Sequence, residues 1–340
     1  MAATTLDPSF NLQINGQESP HRGVVVAEID GLIRVYKDGH VERPQIVPSV
    51  ACSLAPELGV TCRDMIIDKC TNVWARLYVP NYSQDRLRLP LMVYFHGGGF
   101  CVGSASWSCY HEFLAKLASR LSCAVVSVNY RLAPENPLPA AYDDGVKALV
   151  WLTQQNFVPS NGWWTSKCDF SSIFLAGDSA GANIAYNVAL RVSRTLETKG
   201  LILIQPFFGG ERRTHSENYT VQPPRSALTL AASDTYWRLS LPSGANRDHP
   251  WCNPAGKGAE ELRNLRVMVC ISEMDILKDR NLELCANLRS KGVKVEQLVC
   301  KGVGHAFQIL NNSALSQSRV LELIRHISNF MGRCVFLPCN

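Results

Sequence analysis

The chain has 340 residues, a length that one α/β domain with insertions reaches by itself, so two domains are not required. With 46% hydrophobic and 19% charged residues it can build a large core and lies far from the composition of a disordered chain. Lys and Arg number 34 against 29 Asp and Glu, a formal charge of +5, and the basic residues are scattered apart from short clusters such as Arg212-Arg213, which argues against a nucleic-acid groove. No run approaches the about 18 apolar residues of a membrane span, and residues 1–13 carry Asp7 and no apolar signal core. Thirteen cysteines form no CxxC pair and no His stands at zinc-finger spacing, so neither a disulfide framework, a metal site nor a cofactor motif is read. The expectation is a cytoplasmic or nuclear protein without cofactor or metal, monomer or homodimer, whose partner is a small molecule.

Along the chain, residues 32–36, the turn Lys37-Asp38-Gly39 and residues 40–42 have the shape of a hairpin. Two further antiparallel strands are predicted at 60–67 and 73–79. From residue 89 short β-branched runs alternate with segments of helical period, the signature of a mostly parallel sheet flanked by helices. Strands are predicted at 89–95, 124–130, 172–176, 201–205, 266–271 and 293–299, each of the first three too continuously apolar to leave a face in water. Helices are predicted at 111–122, 140–155, 180–194, 277–290 and 314–331. Residues 1–50 have weaker periodicity and are read as a cap or lid segment. The main domain is placed at 51–340, with a cap-like insertion at about 209–254 carrying Tyr236, Trp237 and Trp251.

Gly177-Asp178-Ser179-Ala180-Gly181 follows a predicted strand and opens a predicted helix. A serine at such a bend is lifted out of the sheet, and small residues at Gly177 and Gly181 let neighbouring backbones pass. The helix start aims free N–H groups at the same point. Ser179 is therefore the candidate nucleophile. His96-Gly97-Gly98-Gly99 directly follows another strand, and three successive glycines weaken any regular element. A loop of bare amides suited to a developing oxyanion explains them, with donors from Gly98 and Gly99 of the Gly97-Gly98-Gly99 run and a third from Ala180. His96 is read as a structural hydrogen-bonder, and Asp178 as a structural acceptor.

Among eight histidines, His305 lies in a loop between the last strand and the last helix, where it can reach over the carboxyl edge of the sheet toward Ser179, and it is the candidate base. The orienting carboxylate of such sites falls between serine and histidine in the chain. Glu273, Asp275 and Asp279 follow the strand 266–271. Asp275, at the loop-to-helix junction, is preferred; Glu273 remains an alternative, and Asp279 suits the helix N-terminus. Phe100, Trp107, Phe207, Phe208, Tyr236 and Trp237 are candidate linings of an apolar pocket, with ordinary core packing the alternative. Cys101 and Cys109 are read as packing residues.

With His96-Gly97-Gly98-Gly99-Phe100, Asn129-Tyr130-Arg131-Leu132-Ala133-Pro134-Glu135, Leu138-Pro139-Ala140-Ala141-Tyr142-Asp143-Asp144, Gly177 to Gly181, Asp275 and Gly304-His305-Ala306-Phe307 in this order, the chain resembles the plant carboxylesterase group of the α/β-hydrolase superfamily, in its hormone-sensitive-lipase-like branch. Lys37-Asp38-Gly39-His40-Val41-Glu42-Arg43 resembles the opening hairpin of that group. The resemblance implies an α/β-hydrolase fold with an eight-stranded, mostly parallel sheet, an N-terminal cap, and hydrolysis of a small-molecule ester through an acyl-serine. The related gibberellin receptors lack the triad histidine that His305 matches here. Other members catalyse dehydration of hydroxyisoflavanones, transesterification or strigolactone cleavage with the same groups, and motifs do not separate these reactions.

Overall fold

The hairpin expected from the Asp-Gly turn forms part of a small antiparallel sheet of Val25–Ile29 (β1), Ile33–Tyr36 (β2) and Val41–Glu42 (β3), in the order β1-β2-β3. The computed structural model describes residues 23–81, 88–157, 162–222, 226–254, 258–310 and 312–336; the expected start of the lid segment and the extreme C-terminus lie outside them. Val60–Asp68 (β4) and Val73–Pro80 (β5) pair antiparallel, as expected of the segments 60–67 and 73–79. They extend a second sheet whose inner strands are Leu89–Phe95 (β6), Ala124–Asn129 (β7), Cys168–Asp178 (β8), Gly200–Ile204 (β9), Arg266–Ser272 (β10) and Lys294–Cys300 (β11). The order is β11-β10-β9-β8-β6-β7-β5-β4, parallel from β11 through β7 and antiparallel at β5 and β4.

Continuously apolar strands are covered on both faces because successive side chains point to opposite sides. Val93, Leu175, Leu203 and Val269 face one core, which receives Ala140–Gln155 (α2), Ala180–Val192 (α4) and Lys278–Ser290 (α7). Met92, Tyr94, Phe174, Ile202 and Met268 face the other, under Ser108–Leu121 (α1) and Ala314–Phe336 (α9). Between these lie short helices at Gly162–Thr165 (α3), His215–Tyr219 (α5) and Phe307–Leu310 (α8), and the longer Leu230–Ser240 (α6). The insertion is thus more regular than its sequence shows: α6 is capped by the Thr229 hydroxyl accepting from the Ala232 N–H, and it lies against β1.

Strand register prepares the site. Phe95 of β6 is paired with Gly177 of β8, and Ser272 of β10 with Cys300 of β11. The glycine loop and the serine turn therefore leave neighbouring strands at one level, and the loops bearing Asp275 and His305 leave the carboxyl ends of two more. In an open parallel sheet this edge is where the loops from separate strands converge.

Candidate active site

Ser179 occupies the tight bend between β8 and α4 with φ 52° and ψ −120°, a conformation that costs a non-glycine residue on the order of 1–3 kcal/mol. The bend is over-determined by its surroundings. Ser179 N–H donates to Ile204 C=O at 2.9 Å and its own C=O accepts from Phe207 N–H at 3.0 Å. A Cβ on Gly177 would stand 2.4 Å from the Gly181 carbonyl carbon, and one on Gly181 would stand 1.9 Å from Phe95 O, so backbone passes where side chains would be.

His305 Nε2 lies 2.9 Å from Ser179 Oγ, and His305 Nδ1 lies 2.7 Å from Asp275 Oδ2. A carboxylate can only accept, so Nδ1 carries the proton and Nε2 is left to accept from the serine hydroxyl. Asp275 is held in turn by the Leu277 N–H, 3.0 Å from Oδ1. All three side chains are buried, with residue exposures of 6% for Ser179, 0% for Asp275 and 8% for His305. Burial pushes the His305 pKa down, but the charge and hydrogen bond of Asp275, with the charge of Asp178 beyond, outweigh it and hold the imidazole above its ordinary value of 6.5. The other two acids are engaged elsewhere: Glu273 accepts from Gly302 N–H at 2.9 Å, and Asp279 from Ser216 N–H at 2.7 Å.

The glycine loop turns with φ 109° at Gly98 and 59° at Gly99, closed by Cys101 and Val102 N–H groups donating to Gly98 C=O at 3.0 Å each. A Cβ on Gly98 would meet Val102 O at 2.1 Å, and one on Gly99 the Tyr236 ring at 2.2 Å. His96 stacks on Tyr130 with ring centroids 4.3 Å apart and its Nδ1 donates to Gly97 C=O at 2.8 Å. Burial drops its pKa to about 4, so it stays neutral as a brace. Gly97 N–H is spent on the Tyr110 hydroxyl at 2.7 Å, whereas among the described residues the amides of Gly98, Gly99 and Ala180 have no hydrogen-bond partner. Asp178 accepts from Tyr94 at 2.8 Å and Tyr110 at 2.9 Å; burial raises its pKa to about 6 against the lowering by those two hydroxyls.

The aromatic candidates divide. Phe100, Phe207 and Trp237 are fully buried on one another, with Phe207 and Trp237 stacked at 4.7 Å, so they back the glycine loop and present no open wall. Tyr236 lies directly on Gly99. Phe208 packs edge-on against Tyr186, and Trp107 caps α1 and bridges Ser49. Burial holds the Cys101 and Cys109 thiols up at about 12, which makes them inert packing groups. Sequence reasoning missed Gln205, which donates to Ser272 Oγ at 2.5 Å and accepts from Ala306 N–H at 2.7 Å, fastening the His305 loop to the end of β10. It also missed the reach of Arg43, which donates to Cys101 and Ala133 carbonyls and pairs with Glu135, tying the small sheet to the segment after the glycine loop. A lone polar residue at a strand end carries no motif by which to find it, and although Arg43 and Glu135 each stand in a quoted motif, neither stretch shows that the two meet.

A doubly covered, mostly parallel eight-stranded sheet with a serine at the β8–α4 bend and a histidine and aspartate delivered by later strands is the architecture of an α/β hydrolase. The family described as alpha/beta hydrolase fold matches residues 92–309, and the chain belongs to it. More narrowly, it belongs to the plant carboxylesterase group. It is 54% identical over 323 residues to probable carboxylesterase 6 of Arabidopsis thaliana, covering 93% of this chain and 94% of that one. The gibberellin receptor GID1A of the same plant is 37% identical over 283 residues, 78% of this chain and 80% of the receptor. Among solved structures, an esterase of Pyrobaculum calidifontis superposes with a TM-score of 0.67 at 28% identity, over 79% of this chain and 84% of the esterase.

Proposed function

We propose that this protein is a serine carboxylesterase that hydrolyses small carboxylic esters through an acyl-serine. The observation that carries the reading is the chain of hydrogen bonds from Ser179 through His305 to Asp275, at 2.9 and 2.7 Å, behind a strained nucleophile turn. In this reading His305 Nε2 takes the proton as Ser179 Oγ attacks the ester carbonyl, and Asp275 steadies the imidazolium. The Gly98, Gly99 and Ala180 amides receive the oxyanion, while Gly97 is held back by Tyr110. The alcohol leaves with the proton from His305, and water repeats the sequence on the acyl-enzyme. The β1–β3 sheet and the α5–α6 insertion serve as the cover, with Tyr236 and Arg43 as their anchors on the loop. The reactant is a small apolar ester, no cofactor or metal takes part, and the thiol-rich chain works in the cytoplasm or nucleus.

Intact mass after exposure to an organophosphate that captures activated serines, compared between the wild type and Ser179→Ala, tests the assignment. One adduct on the wild type and none on the variant is expected. No adduct on folded wild-type protein, or an adduct that survives Ser179→Ala, overturns it.

A further inference from the structure

Two loops must keep a fixed spacing for an oxyanion site to work, yet the glycine loop after β6 and the serine turn after β8 share no side chain in sequence. Their strands pair directly, Phe95 with Gly177, and the Gly97 amide acts on the Asp178 carboxylate; α1 adds a side-chain bridge between them. Tyr110, buried in the first turn of that helix, accepts from Gly97 N–H at 2.7 Å and donates to Asp178 Oδ2 at 2.9 Å. One hydroxyl thus serves as acceptor to the loop and donor to the residue next to Ser179. The contact is tight: a Cβ on Gly97 would stand 3.0 Å from Tyr110 Oη and 2.7 Å from Asp178 Oδ2. Burial pushes the Tyr110 phenol well above its ordinary range, so the O–H needed for donation persists. Tyr94 donates to the other oxygen of Asp178 at 2.8 Å and lies in β6, before the loop begins.

We propose that Tyr110 is a positioning residue for ester hydrolysis: its hydroxyl, bridging Gly97 N–H to Asp178, sets the distance between the Gly98–Gly99 amides and Ser179. The role rests on the esterase reading. It also explains why one of three tandem glycines has its amide occupied and why an acid precedes the nucleophile. The hydroxyl touches no reacting atom; it acts through the loop, whose amides must sit within a few tenths of an ångström of the oxyanion to help.

Tyr110→Phe keeps the ring and removes only the oxygen. With p-nitrophenyl acetate as probe, kcat is expected to fall about 10- to 100-fold, the scale of a misplacement near 1 Å, while KM stays within about two-fold. Phenylboronic acid, which forms a tetrahedral serine adduct, should weaken by a similar factor. Tyr94→Phe takes an equal hydrogen bond from Asp178 without touching the loop, and should lose less than about three-fold in kcat. Equal losses in the two tyrosine variants, or an unchanged kcat in folded Tyr110→Phe, overturn the proposal. Should Tyr110→Phe not fold, Asp178→Leu decides, since it removes the acceptor of the Tyr110 O–H: a fall in kcat of about 10- to 100-fold above the acid limb with KM within about two-fold supports the bridge, and a kcat within about three-fold of the wild type refutes it. An organophosphate adduct on wild-type Ser179 beside an unaffected Tyr110→Phe would sink this role and leave the esterase standing. Absence of the adduct would sink both.

Discussion

Gly98→Ala tests how far the glycine loop is confined. The residue has φ 109°, and a Cβ there would lie 2.1 Å from the Val102 carbonyl oxygen and 2.7 Å from its carbon. These are backbone atoms of the turn that Gly98 C=O itself closes, so no rotamer change relieves the clash. Reaching ordinary contact requires an opening of about 1 Å, because atom pairs repel steeply inside their van der Waals separation. Such a movement takes the Gly98 amide away from the oxyanion, and losing one donor costs about 2.7–4 kcal/mol, or 100- to 1,000-fold in kcat. Backbone strain adds on the order of 1–3 kcal/mol of lost stability. The control is Gly31→Ala: Gly31 has φ 67° with nothing within 4 Å of the added carbon, so it tests strain without displacement. The assay is kcat and KM on p-nitrophenyl acetate with a thermal melt of each variant. Gly98→Ala should lose kcat by at least 100-fold with a lowered Tm, and Gly31→Ala should lose some Tm and keep kcat. A folded Gly98→Ala with kcat within about three-fold of the wild type would refute the claim that this loop supplies an oxyanion donor.

Asp275→Asn should lower kcat by about four powers of ten, as removal of the charge that holds the imidazole tautomer does in such triads, whereas Glu273→Gln and Asp279→Asn should stay within about three-fold; a comparable collapse in either control would move the carboxylate assignment. His305 must be neutral to accept the serine proton, and its pKa lies above the ordinary 6.5, so kcat/KM should rise with pH through a limb placed above 6.5. Because the Asp178 charge contributes to that elevation, Asp178→Asn should move the limb to lower pH. A limb that stays put, or moves upward, contradicts this account of the field at His305.

Much of the fold was legible because burial on both faces of a sheet demands uninterrupted apolar strands. Leu89–Phe95 and Ala140–Gln155 have the bounds that their patterns predict. The serine turn and the glycine loop were legible for a related reason: backbone passing 1.9 Å from where a Cβ would stand at Gly181 and 2.1 Å at Gly98 leaves glycine as the residue that fits. Local chemistry also narrowed the acid to three neighbours. Position at the loop-to-helix junction favours Asp275 with Glu273 as the alternative, and the distances show what separates three acids lying within seven positions: their directions out of the loop give Asp275 a bond to His305, and Glu273 and Asp279 bonds to Gly302 and Ser216. The apolar pocket was harder still, because an aromatic that lines a cavity and one that packs behind a loop have the same letter; Phe207 and Trp237 stack on each other.

The sequence by itself determined the succession of the main-sheet strands and the long helices beside them, the serine turn, the glycine loop and the candidate histidine, since each follows from interactions within a few residues or from the period of burial. Tertiary structure alone decided what holds these pieces in register. Arg43 reaches Glu135, Gln205 reaches Ala306, and Tyr110 joins Gly97 to Asp178 across separations of 92, 101, 13 and 68 positions. Such contacts leave no local pattern, because a hydrogen bond between distant segments depends on where the whole sheet brings them and constrains neither partner's neighbours.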